Sequence, residues 1–106
     1  MAAAPLFIEP EANQELEDAA VRYDKERSGL GQRFLDEVAA TLDRIGRFPQ
    51  AGAPVPFVPT DLAVRRAPVK GFPYHAVYLI GDHTIRVLAF AHYRRRPGYW
   101  FGKYNR

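Results

Sequence analysis

The sequence predicts a small α+β domain in which an N-terminal helix hairpin packs on a twisted antiparallel β-sheet. Three observations carry this. Apolar residues recur at three- and four-residue steps up to about residue 47, they alternate or cluster in short β-branched and aromatic runs from Leu62 onward, and a proline-rich stretch divides the two regimes. The element order is β-α-α-β-β-β, within one domain covering residues 1–106.

Residues 1–5 carry no pattern and are expected to be flexible. Leu6 to Ile8 reads as a short first strand, closed by Pro10, whose missing N–H costs nothing in the first turn of a helix. The first helix runs from about Glu11 to Arg27. Ala12, Leu16, Ala19, Ala20 and Tyr23 form its apolar stripe, and Glu11, Glu15, Glu17 and Asp18 crowd the N-terminal half, where the helix dipole favours negative charge. Ser28-Gly29 breaks it. The second helix, about Leu30 to Arg47, carries Phe34, Leu35, Val38, Leu42 and Ile45 on one side and ends before Pro49. So short a break makes the pair an antiparallel hairpin.

Residues 49–61, "PQAGAPVPFVPTD", form a proline-rich connector too poor in N–H donors for a central strand. "LAVRRAPV", Tyr74 to Ile80 and Thr84 to His92 then read as three strands, with Gly81-Asp82 supplying the turn between the last two. The apolar content of Thr84 to His92 suits a central strand covered on both faces, and Tyr74 and Tyr78 share a face that packs on a helix.

Composition narrows the chemistry. With 106 residues, 47% of them hydrophobic, the chain can bury one core. It has no cysteine, so disulfide frameworks and thiolate zinc sites are excluded, in keeping with a reducing cytoplasm. His75, His83 and His92 lack metal-ligand spacing, and no cofactor or metal is expected. No stretch reads as a signal peptide or membrane span.

The net charge of +3 conceals a division. Residues 1–61 hold six basic and eleven acidic side chains, a net −5, whereas residues 62–106 hold nine and one, a net +8. Such a C-terminal half attracts a polyanionic partner, unless the two halves simply neutralise each other.

The densest basic segment is "AHYRRRPGYW", Ala91 to Trp100. Strand alternation would put Arg86, Leu88, Phe90 and His92 on one face and continue it through Arg94 and Arg96, with Tyr93 and Arg95 opposite. Arg65 and Arg66 on the neighbouring strand would approach the same end of the sheet. The candidate anion-binding group is therefore Arg65, Arg66, Arg94, Arg95 and Arg96, with Tyr93, Tyr99 and Trp100 as stacking surfaces. The plainer alternatives are a solvated rim for the arginines, a hydrogen-bonded core role for His92, and core or interface anchoring for Trp100 and Phe101.

The succession "GLGQRFLDEV", "GFPYHAVY" and "AHYRRRPGYW" resembles the RelE/ParE superfamily of bacterial type II toxins, especially its ParE-like, plasmid-stabilisation branch, over roughly residues 6 to 100. The resemblance implies a helix hairpin on a twisted antiparallel sheet and a cytoplasmic growth-inhibiting toxin, silenced by a cognate antitoxin in a hetero-oligomer, with no membrane partner. It implies two target classes. ParE-like members inhibit DNA gyrase as interaction proteins; RelE-like members are metal-independent endoribonucleases that cut mRNA on the ribosome by attack of a 2′-hydroxyl on the adjacent phosphate. For the nuclease the resemblance matches Arg94 to the family's arginine at the end of the last strand and sets Tyr99 or Trp100 near its C-terminal tyrosine; Arg65 or Arg66 is the candidate second phosphate-binding arginine, and His92 or Tyr99 the candidate general base. Trp100 falls where that family has its C-terminal tyrosine, and Asp82 is the one acid after Asp61. An indole does no acid–base work at neutral pH, which places gyrase inhibition ahead of RNA cleavage. A non-toxic binding protein on the same fold is the third alternative. The antitoxin is expected to bring an acidic tail that folds on binding, laying a helix across the hairpin or a sheet edge.

Overall fold

The apolar stripes of the two helices and the alternating strands need one another to leave water, and that pairing builds the molecule. The computed structural model describes residues 4–56, 58–59 and 62–104, with side chains through Phe101. Strand β1 (Leu6–Ile8) leads into α1 (Pro10–Glu26) and α2 (Leu30–Arg47). A 3-10 turn at Pro49–Ala51 precedes β2 (Ala53–Pro54), and β3 (Val64–Pro68), β4 (Tyr74–Ile80) and β5 (Ile85–His92) follow. A third helix, α3 (Tyr99–Tyr104), closes the described chain.

The strands form one five-stranded sheet in the order β1-β5-β4-β3-β2. It is mixed, which corrects the expectation of an antiparallel sheet: β1 runs parallel to β5, with Leu6 beside Ile85 and Ile8 beside Val87. The reason is local. A three-residue strand followed by a helix has no hairpin partner, so its pairing is decided by the open edge of β5. The proline-rich connector also does more than span a gap, since Ala53 and Pro54 pair with Arg66 and Arg65 as an edge strand. Proline is tolerated at such an edge. Phe57, Thr60 and Asp61 of that connector lie outside the described residues, as do residues 1–3; Pro5 accepts the Ile85 N–H at 2.9 Å and Ala4 donates to Gly46 at 3.2 Å.

The helices cover one face of the sheet. Phe34, Val38 and Ile45 of α2 and Ala12 and Ala19 of α1 pack on Tyr74, Ala76, Tyr78, Val87 and Phe90. Tyr23, Phe34, Phe72 and Tyr74 form an aromatic knot with centroids 5.0–6.3 Å apart in tilted and edge-on contacts. Two glycines shape the hairpin. Gly29 takes φ +88° in the turn between the helices, and Gly31 lies so close to α1 that a Cβ would stand 2.4 Å from the Ala20 carbonyl oxygen. The opposite face carries a smaller cluster of Val64, Val77, Leu88, Ala89 and Ala91, covered by Trp100 of α3. The central strand is thus covered on both sides, as its composition demands, by a helix that the sequence pattern did not announce.

Simple alternation fails within β5. Val77 pairs with Ala89 and Tyr78 with Val87, leaving Leu88 as the extra residue of a bulge. Leu88 and Ala89 both enter the smaller cluster, while Val87 and Phe90 both enter the helix-side core. Arg86, Leu88, Phe90 and His92 therefore do not line one face. No helix among the described residues is long and apolar enough to cross a membrane.

Candidate functional site

Strand β5 ends at His92 because the chain turns there. Arg94 donates its backbone N–H to His92 Nδ1 at 3.0 Å, and Arg95 donates its own to the His92 carbonyl at 3.0 Å. The turn breaks the expected continuation of the strand face through Arg94 and Arg96. Gly98, at φ +79°, lets the chain reverse into α3, and Trp100, only 3% exposed, anchors that helix on the smaller cluster. The arginine run is a basic loop slung between the end of β5 and α3.

The loop stands between two clefts. On the sheet face away from the hairpin, a cleft of about 110 Å³ gathers Arg66, His75, Tyr93, Arg95 and Arg96, with Trp100 in its lining. The exposed Tyr93 ring lies on His75 at 4.5 Å and 35°. Burial lowers the pKa of His75, and neighbouring Arg66 lowers it further, so its imidazole is neutral at physiological pH. On the helix side, a cleft of about 190 Å³ joins Glu15, Asp18 and Arg22 of α1 to Tyr74, His92, Arg95 and Tyr99. Arg22 donates to the Tyr74 hydroxyl at 2.9 Å, and the His92 ring meets Tyr74 edge-on at 5.1 Å. Arg95 borders both clefts, its guanidinium 3.8 Å from the centre of the Tyr99 ring.

The predicted residues divide accordingly. Arg66, Arg95, Arg96 and Tyr93 come together. Arg65 does not: it pairs across the sheet with Tyr78, and its guanidinium donates to the Gly52 carbonyl at 2.6 Å. Neighbours along a strand point to opposite faces, so Arg65 and Arg66 cannot both serve one cleft. Arg94 is exposed and lies outside the lining of either cleft, and Trp100 is a buried anchor instead of an open stacking surface. Among the described residues, Arg66, Arg94, Arg95 and Arg96 make no ion pair, whereas Arg86 is engaged by Glu9 and Arg47 by Asp43. Tyr99 donates its hydroxyl to Glu15; burial and that carboxylate both raise its pKa, so it keeps its proton.

Sequence reasoning missed Glu15, Arg22 and His75 as neighbours of the loop. A signal for the first two was present, since Glu15, Asp18 and Arg22 recur at helical spacing beside the apolar stripe of α1. His75 is found once Tyr74 and Tyr78 are given to the helix face, because the residue next to Tyr74 on the strand must face away.

A helix hairpin on one face of a mixed sheet is also the architecture of a chain in the structure described as "Chromosomal ParDE TA system from P. aeruginosa". The two superpose with a TM-score of 0.72 at 16% identity, over 85% of this chain and 96% of that one, a likeness that shows the fold. No curated protein sequence matches the chain. Residues 6–97 match the family described as ParE toxin of the type II toxin-antitoxin system, parDE. The class is therefore a type II toxin. Within that class, the chain belongs to the ParE toxin family.

Proposed function

We propose that this ParE-family chain arrests growth by binding DNA gyrase through the basic loop, with Arg66, Arg95 and Arg96 as the anion-gripping side chains and Tyr93 beside them. The observation that carries this reading is the state of Tyr99. Tyr99, the phenol whose ring the Arg95 guanidinium stacks on, is bonded to Glu15 and keeps its proton, so it serves as a structural donor, while Arg66, Arg95 and Arg96 make no ion pair among the described residues. A cationic rim without a ready proton-transfer pair suits gripping an acidic protein surface better than cleaving a phosphodiester.

In the resting cell the rim is covered by a cognate antitoxin in a cytoplasmic hetero-oligomer. Its acidic tail meets the +8 half of the chain. A groove of about 410 Å³ between the end of α2 and the edge strand, bordered by exposed Phe48, Ala51, Ala53 and Pro68, offers apolar surface for the antitoxin's helix.

RNA cleavage keeps one specific observation in its favour. His75 is neutral and lies in the same cleft as Arg66 and Arg96, stacked on an exposed tyrosine. Parallel assays of gyrase supercoiling and of ribosome-dependent transcript cleavage with the purified chain separate the two. Selective loss of supercoiling is the expected result; codon-positioned cuts in translated RNA would transfer the function to the His75 cleft. Inactivity in both, with tight antitoxin binding, would leave a binding protein on a toxin fold.

A further inference from the structure

We infer that Glu15, in the acidic half of α1, is the positioning residue of the basic loop, acting through Tyr99 on Arg95; this rests on the loop being the surface through which the toxin acts.

Strand β1 pairs with β5 only as far as Val87, so the Phe90 N–H further along that edge has no neighbouring strand to accept it. Glu15 reaches in and accepts it on Oε1 at 3.1 Å. Its other oxygen, Oε2, accepts the Tyr99 hydroxyl. One carboxylate thus ties the last residues of β5 to the first residue of α3, the two ends between which the loop is slung. Helix α3 has six residues, far fewer than the roughly 12–15 that stand alone in water, so its place depends on such ties.

The second link is the Tyr99 ring. Held by its hydroxyl, it presents a face to the Arg95 guanidinium at 3.8 Å, at the border of both clefts. The negative charge of Glu15 is met by an amide donor and a phenol donor, leaving Arg95 stacked instead of locked in an ion pair. The arrangement orders a cation without neutralising it. Asp18, one turn further along α1, does nothing comparable: it is exposed and accepts a hydrogen bond from Gln14 at 2.9 Å.

The test uses the full chain and reads growth arrest on induction, which does not depend on the identity of the target. The second readout is emission from Trp100, the chain's one tryptophan, which sits next to Tyr99 and reports the docking of α3. Glu15→Ala and Tyr99→Phe should each weaken arrest about tenfold, the size expected for losing one hydrogen bond to a charged acceptor. The double variant should be no weaker than the weaker single, because both break one chain of contacts. Glu15→Gln, which retains an acceptor for Phe90 and a polar partner for Tyr99, should recover most of the potency and keep Trp100 emission close to that of the parent.

Val38→Ala, a core lesion remote from the loop, is the control: it lowers thermal stability and leaves arrest unchanged. If Glu15→Ala does not fold, Tyr99→Phe and Glu15→Gln carry the test. Full arrest by Tyr99→Phe, or by a folded Glu15→Ala variant, would overturn the inference, as would losses that multiply in the double variant. Arrest lost in proportion to thermal midpoint, with Val38→Ala falling on the same line, would reduce Glu15 to a purely structural group. A parent chain that arrests nothing overturns the toxin reading itself and takes this role with it, a result distinct from every failure of the variants alone.

Discussion

Tyr99 gives its hydroxyl hydrogen to Glu15, a residue 84 positions earlier in the chain. The bond joins the acidic N-terminal half to the basic C-terminal half at the root of the arginine loop, where the charge division of the sequence becomes a contact.

That contact predicts an alkaline limit to stability. Burial, then Glu15, raise the Tyr99 pKa above its ordinary 10.0, so above pH 10.0 the unfolded chain releases a proton that the folded chain retains. Stability is whole below that pH and falls as pH climbs toward the folded value. Tyr23 and Tyr78, also raised by burial, add to the slope. Chemical denaturation between pH 9 and 11 should show a shallower decline for Tyr99→Phe.

An acid limit follows from His75. Its folded pKa is below 6.5, so under that pH the unfolded chain binds a proton that the folded chain refuses, and stability drops as pH falls. His75→Gln should flatten the profile below pH 6.5, measured as the midpoint of urea unfolding.

Replacing Arg94, Arg95 and Arg96 together with alanine should abolish growth arrest while leaving circular dichroism and thermal midpoint near those of the parent. Arrest that persists in the folded triple variant would remove the loop from the mechanism.

Arg65 and Arg66, adjacent and chemically identical, should part company. Arg66→Ala should weaken target binding with little effect on folding, because its side chain faces the cleft. Arg65→Ala should instead cost about 1 kcal/mol of stability by releasing the Gly52 carbonyl, with target affinity kept. Titration of both variants against the target and against urea separates the effects.

Gly31→Ala should destabilise by about 1–3 kcal/mol, since its Cβ would meet the Ala20 carbonyl oxygen at 2.4 Å and the helices would have to part. The shift would also strain the bond from the Gly31 N–H to Asp24, now 2.8 Å. Calorimetry against Gly29→Ala, where space is open and the strain is that of φ +88° alone, distinguishes a packing clash from a backbone cost.

The helix hairpin, the three strands from Val64 to His92 and the cationic character of the C-terminal half were legible in the residues, because periodicity and charge are local properties of a chain. The span of α2 and the Tyr74–Ile80 strand follow their apolar repeats to the residue. The sequence alone therefore determined the helix hairpin and the three long strands, and that their apolar faces must meet. Tertiary structure decided the rest: the parallel seat of β1 on a free edge, the bulge at Leu88 that reassigns a strand face, the docking of α3 through Trp100, and the choice of Arg66 over Arg65. The first three depend on an unpaired edge, an extra residue in a ladder or a carboxylate arriving from another helix, and the last on which face of β3 the cleft comes to occupy. Such features belong to pairs of distant segments, so no window along the chain contains them, and the site around Glu15 and Tyr99 exists only once the fold has closed.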